Sequence, residues 1–176
     1  MEELGYRVQD SAIDRRPLYR NRIDQIIEQL DGYDACQHCP WNLLYRELYQ
    51  EFPDGKFILT TRDENDWLKS VVNHFGTNHS DLREFAYGQG AGYPVGNEQI
   101  YLERFRKHNV EVHEFFSDKP NQLLAINVAD DDAYEKLCIF LDKPVKKERF
   151  PKKKRQEEVT VCKNPSSIKT FLSKYY

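Results

Sequence analysis

An α/β fold built on a parallel sheet is the class this sequence predicts, on three observations. Short, apolar, β-rich segments at 34–37, 56–61 and 123–128 are too brief for core helices. Stretches with helical apolar spacing alternate with them. Turn chemistry such as Pro53-Asp54-Gly55 separates the two kinds of segment. Strand alternating with helix favours crossover connections, hence a parallel sheet covered on both faces.

The elements follow in order. Gly5-Tyr6-Arg7-Val8 is a turn leading into a strand. Pro17 suits a first helical turn, Ile23, Ile26, Ile27 and Leu30 have helical spacing, and Gly32 ends that helix. Residues 34–37 predict a short buried strand. Pro40 opens a helix with Trp41, Leu44, Tyr45, Leu48 and Phe52 on one face. Lys56–Thr61 (KFILTT) is the strongest strand signal. Asp63 is a good N-cap for a helix carrying Leu68, Val71, Val72 and Phe75 inward. Residues 76–97 read as Gly-rich and irregular. An amphipathic helix runs from Asn97 to about Ser117, and Pro120 stops it. After the strand at 123–128, Asp132 and Glu135 suggest a capping box for a helix burying Tyr134, Leu137, Cys138 and Leu141.

Composition excludes several classes. With 176 residues, the chain is about one domain long. Hydrophobic residues at 39% supply a core, which argues against wholesale disorder. No apolar run approaches the ~20 residues of a membrane helix, and residues 1–16 lack the apolar stretch of a secretory signal. Four cysteines do not make a disulfide scaffold, so a reduced, cytoplasmic setting is expected. A net charge of −3 argues against nucleic-acid binding. Residues 142–155 carry a local +6, which sets off 152–176 as a basic extension of a domain spanning 1–151.

The chemistry concentrates in KFILTTRDENDWLKSVVNHF, residues 56–75. A strand delivers Arg62 at its carboxyl end, where open α/β sheets bind ligands. A guanidinium there matches phosphate bidentately, and Ser70, eight residues on, can return along the helix to the same anion. The alternative pairs Arg62 with Asp63 or Asp66. This segment resembles the 3′-phosphate-binding segment of sulfotransferases that use 3′-phosphoadenosine 5′-phosphosulfate. LGYRV (4–8), the 40–63 run, YLERFRKHNVEVHEFF (101–116) and the LLAINV…YEKLCIFLDKPV stretch (123–145) extend the resemblance over residues 1–151. It implies a P-loop-type three-layer sandwich in which Arg62 and Ser70 hold the donor's 3′-phosphate. A hydroxyl or amine on a small molecule is the implied acceptor.

In cytosolic sulfotransferases a His-x-Pro stands a little over twenty residues before the phosphate-binding Arg. His38, in Cys36-Gln37-His38-Cys39-Pro40, precedes Arg62 by 24 residues. The resemblance implies that His38 is the catalytic base, a task suited to a group titrating near working pH. A purely structural imidazole is the alternative. Cys36 and Cys39 form a CxxC between strand and helix, which raises a thiol redox reading with a depressed thiol pKa. GQGAGYPVG (88–96) neither follows a strand nor ends in Lys-Ser/Thr, so a flexible lid or acceptor-side loop is expected there.

The family begins with a strand and a KTGT-type loop that binds the 5′-phosphosulfate, ahead of the LGYRV segment. The sequence starts at Met1, within the helix that ends in LGYRV, and has no KTGT-type segment. The first strand and P-loop are therefore expected to be missing, with a one-strand gap between 34–37 and 56–61. Impaired transfer is the corresponding expectation, as is the alternative of a non-catalytic nucleotide-binding or interaction protein. The mechanism calls for no metal.

Overall fold

A computed structural model of the chain describes residues 1–10, 13–145 and 170–173. The basic run beyond Val145, and Cys162, lie outside the described residues. The strands are β1 (Val8–Gln9), β2 (Ala35–Gln37), β3 (Lys56–Thr61), β4 (Leu123–Asn127) and β5 (Thr170–Ser173). They form one sheet in the order β1-β2-β5-β3-β4, with every neighbouring pair parallel. The α-helices are α1 (Arg16–Tyr19), α2 (Ile23–Ile27), α3 (Tyr45–Glu51), α4 (Glu64–Phe75), α5 (Asp81–Tyr87), α6 (Glu98–Phe115) and α7 (Ala133–Phe140).

Strand periodicity explains the two-sided burial. Successive side chains of β3 point to opposite faces. Phe57 and Leu59 join a cluster with Ile26, Trp41, Leu48 and Phe116. Ile58 joins a cluster with Ile126, Leu137 and Leu141 on the other face. A third cluster, around Trp67, Val71, Tyr101 and Phe105, binds α4 to α6. There Trp67 stacks on Phe105 at 4.5 Å between ring centroids.

β5 sits where a gap was expected. Thr170 pairs with both Ala35 and Lys56, and Leu172 with both Gln37 and Ile58. Two parallel edges one strand apart present rows of unpaired N–H and C=O groups, and a third strand satisfies both rows at once. Four residues of the segment set off as a basic extension thus form the middle of the sheet.

Other departures are local. Trp41–Leu43 is a 3-10 turn that precedes α3, not its first turn. Residues 76–97 contain α5, capped by the Ser80 hydroxyl, which accepts from the Arg83 N–H. The capping box at α7 does not form. Asp132 occupies the N-cap position without a capping hydrogen bond, and its carboxylate pairs with Lys136 at 2.8 Å. An ion pair one turn along the helix competes successfully for this exposed carboxylate.

Candidate functional site

The parallel order brings the carboxyl ends of β1, β2 and β3 to one edge of the sheet. Asp10 follows β1, His38 follows β2 and Arg62 follows β3. Arg7 and Asp34 fix the first two strands together. The Arg7 guanidinium donates from Nε to Oδ2 at 3.0 Å and from Nη2 to Oδ1 at 2.9 Å, and the Arg7 backbone N–H also donates to Oδ2. These bonds hold the Asp34 carboxyl below its ordinary pKa.

His38 meets Asp10 across these strand ends, with Nδ1 2.5 Å from Oδ1. With Nδ1–H directed to the carboxylate, Nε2 is the basic nitrogen. The Trp41 indole N–H donates to the Asp10 carbonyl at 3.1 Å and holds that strand end in place. His38 has φ 66°, a left-handed conformation uncommon for a residue with a Cβ. Such conformations cluster at functional sites. Asp10 escaped the sequence reading. Its signal was an acidic residue directly after a strand, beside the strand that ends at His38.

His38 and Asp10 line a cavity of about 560 Å³. Leu43, Phe75, Leu82, Ala86 and Tyr87 give it apolar surface, and Arg15, Arg83 and Arg104 give it positive charge. Ser80 and α5 supply one wall of it. The glycines themselves are tied down. Gly90 N–H donates to Glu84 at 2.9 Å, and the buried Tyr101 hydroxyl donates to the Ala91 carbonyl at 2.9 Å. Gly92 lies so close to the His79 ring that an added Cβ would clash at 2.4 Å.

Arg62 lies beyond the end of β3, exposed. The alternative pairing with Asp63 or Asp66 does not occur. The Asp63 carboxylate instead accepts from the backbone N–H groups of Asn65 and Asp66, capping α4. Among the described residues, Arg62 makes no ion pair. Ser70 is half-buried on α4, one turn before the cavity residue His74 and on the same helix face. Arg106 of α6 fixes the start of α4 through two bonds to Glu64, at 2.6 and 2.7 Å.

The CxxC does not have the features of a redox pair. Cys36 is fully buried, and desolvation pushes the Cys39 thiol up to about 12, opposite to the depressed value a redox thiol needs. Among the described residues, no three His, Cys, Asp or Glu side chains group to hold a metal, and no helix is long and apolar enough to cross a membrane.

Comparison with known proteins gives this edge its context. The chain is similar to "Ava biosynthesis cluster protein M" of Aspergillus versicolor, at 25% identity over 185 residues. That match takes in 92% of this chain and 65% of the relative, so the chain spans about two-thirds of the relative's length. A family model described as a sulfotransferase domain matches residues 6–91 and 85–159. These stretches include both strand ends that carry His38 and Arg62, and the chain belongs to the sulfotransferase-domain family.

Proposed function

We propose that this chain transfers a sulfuryl group from 3′-phosphoadenosine 5′-phosphosulfate to a hydroxyl or amine held in the cavity. The observation that carries the reading is the His38–Asp10 pair at the cavity wall, on the sheet edge that also bears Arg62. In this reading the fold is of the P-loop type, with β5 in the position that the resemblance gives to the first strand.

His38 Nε2 takes the proton from the acceptor as its oxygen or nitrogen attacks. The donor, when bound, supplies an electrophilic sulfur whose bond to the bridging phosphate oxygen breaks, releasing adenosine 3′,5′-bisphosphate. Asp10 keeps His38 in the proton-accepting tautomer and stabilises the imidazolium that forms. Arg62 and Ser70 fit a phosphate. The guanidinium is exposed with no ion pair among the described residues, and Ser70 stands one helical turn before the cavity residue His74 on α4. They hold the 3′-phosphate and fix the donor against the edge.

The test is transfer of radiolabelled sulfate from the donor to a panel of phenols and amines, with binding of adenosine 3′,5′-bisphosphate measured in parallel. Transfer that disappears in His38→Ala while the bisphosphate still binds is the expected result. Bisphosphate binding with no transfer to any acceptor would favour a non-catalytic nucleotide-binding protein.

A further inference from the structure

The His38–Asp10 pair stands on a slight piece of the sheet. β1 has two residues, Val8 and Gln9, paired with Ala35 and Cys36 of β2 at one end of the strand order. Asp10 comes after the last paired residue of β1, and His38 after Gln37, the last residue of β2. Strand ends past a ladder are where a sheet opens most easily. The ladder therefore does not set where the Asp10 carboxylate points, yet Oδ1 meets His38 Nδ1 at 2.5 Å.

Trp41 supplies a restraint that the ladder lacks. It is 1% exposed and belongs to the core cluster with Ile26, Leu48 and Phe57. Close packing of that kind fixes a rotamer, so the core sets the direction of the indole N–H. This N–H donates to the Asp10 carbonyl at 3.1 Å. Trp41 also lies three residues after His38, in a turn held by its own bonds. The Asn42 N–H donates to the His38 carbonyl at 3.2 Å, and the Leu43 N–H to the Pro40 carbonyl at 2.9 Å. The turn that carries the imidazole thus carries the donor that grips Asp10. A closed ring of contacts results: imidazole to carboxylate, Asp10 carbonyl to indole, and the turn back to His38.

We infer that Trp41 is a positioning residue for the transfer reaction. Its indole N–H fixes the Asp10 backbone, so that the carboxylate holds His38 with the proton on Nδ1 and Nε2 free to accept. The effect on rate rests on the sulfuryl-transfer reading. The effect on the imidazole does not, and can be measured without turnover. An unrestrained neutral imidazole carries its proton on either nitrogen. A base whose orienting carboxylate wanders spends part of its time with the proton on the nitrogen that must accept one. Misplacement of the pair also lowers the share of productive encounters with the acceptor. No proton passes through the indole, which donates one hydrogen bond throughout.

The experiment separates the hydrogen bond from the ring by two replacements in the intact chain. One is Trp41→Phe. The other installs at position 41 a tryptophan analogue with sulfur in place of the N–H, which keeps the shape and loses the donor. Nitrogen NMR reads the His38 tautomer without donor, at a pH where the imidazole is neutral, with the His38 signals identified by their absence in His38→Gln. The wild type should carry the proton on Nδ1, and both replacements should raise the share on Nε2. With donor and acceptor, kcat should fall about two- to tenfold, the worth of one neutral hydrogen bond, while KM and the affinity for adenosine 3′,5′-bisphosphate hold. In an Asp10→Asn background, Trp41→Phe should cost little more, because the carboxylate it positions is gone. A wild-type proton on Nε2, an unchanged tautomer in the folded analogue chain, or losses in kcat that simply multiply with those of Asp10→Asn would each overturn the inference. A lowered Tm with tautomer and kcat unchanged would make Trp41 structural and overturn it as well. The expected tautomer change with no transfer to any acceptor would support the positioning and count against the transfer reading alone.

Discussion

The two ends of the sheet edge are built differently. Over β1 and β2, His38 is held by Asp10, Asp10 by Trp41, and the pair borders a cavity of about 560 Å³. Over β3, Arg62 stands exposed with no ion pair among the described residues, beside a helix start braced by Arg106 and Glu64. Proton transfer needs geometry set before the substrate arrives, because a small misplacement costs rate steeply. Capture of a doubly charged phosphate needs less, since the anion itself orders a guanidinium that reaches it. On the proposed reading, one end is preorganised for chemistry and the other left open for binding.

The sharpest way to break that contrast is His38→Ala. Loss of a general base typically costs ~10²–10⁴ in rate. We expect a fall in kcat of that order with unchanged affinity for adenosine 3′,5′-bisphosphate. A variant that keeps full kcat would remove His38 from the chemistry.

Arg62→Ala should do the opposite. Removing charge-assisted hydrogen bonds to a phosphate weakens binding by about 10–100-fold. The loss should appear in the affinity for the 3′,5′-bisphosphate and leave adenosine 5′-phosphate nearly unaffected, as isothermal titration can show. An equal loss for both nucleotides would place Arg62 somewhere other than the 3′-phosphate.

Asp10→Asn should have a milder effect, a decrease of about tenfold in kcat with KM held, because Asp10 acts through His38 and is half exposed. Asp10→Glu should recover part of the rate. A purely structural Asp10 would instead lower thermal stability and leave the rate of the folded fraction unchanged.

How legible was this edge beforehand? KFILTT and the Asp63 cap were plain, because both signals are local: a β-rich run bounded by turns, and a carboxylate beside free helical N–H groups. β5 was not. Thr170–Ser173 is short and follows a Lys-rich stretch, and what makes it a strand is the pair of edges waiting on either side, a non-local fact. α5 escaped for a related reason. At seven residues, with none of them buried, it is too short to stand on its own despite good helix formers at Leu82, Arg83, Glu84 and Ala86, and it is supported by the Ser80 cap and by Glu84 holding Gly90. The His38–Asp10 pair needed the strand order, since 28 residues separate its members. Leu68 and Phe75 pack against the α4–α6 cluster as expected, and Trp67, which the stripe left out, lies deepest in it through its stacking on Phe105.

The smallest expected effect tests whether the cavity's positive wall is felt behind it. His108, one turn after Arg104 on α6, is fully buried, with its ring edge-on to Tyr45 at 5.8 Å. Desolvation first, and the Arg104 charge second, lower its pKa from 6.5 to about 3. In the unfolded chain the same imidazole titrates near its ordinary value. Between those two values the unfolded state holds a proton that the folded state refuses, so stability rises with pH across the window. Above about pH 6.5 the penalty is absent, and it grows as pH falls toward 3. Going from pH 7.5 to 5.5 should therefore cost on the order of 1 kcal/mol through this residue, a few degrees in Tm. His108→Leu should remove that increment, read as the difference between urea-unfolding curves of wild type and variant at the two pH values. The other histidines are common to both proteins and cancel in the difference. Identical pH dependence in the two would mean that His108 reaches solvent when protonated, and that α6 opens more easily than its packing implies.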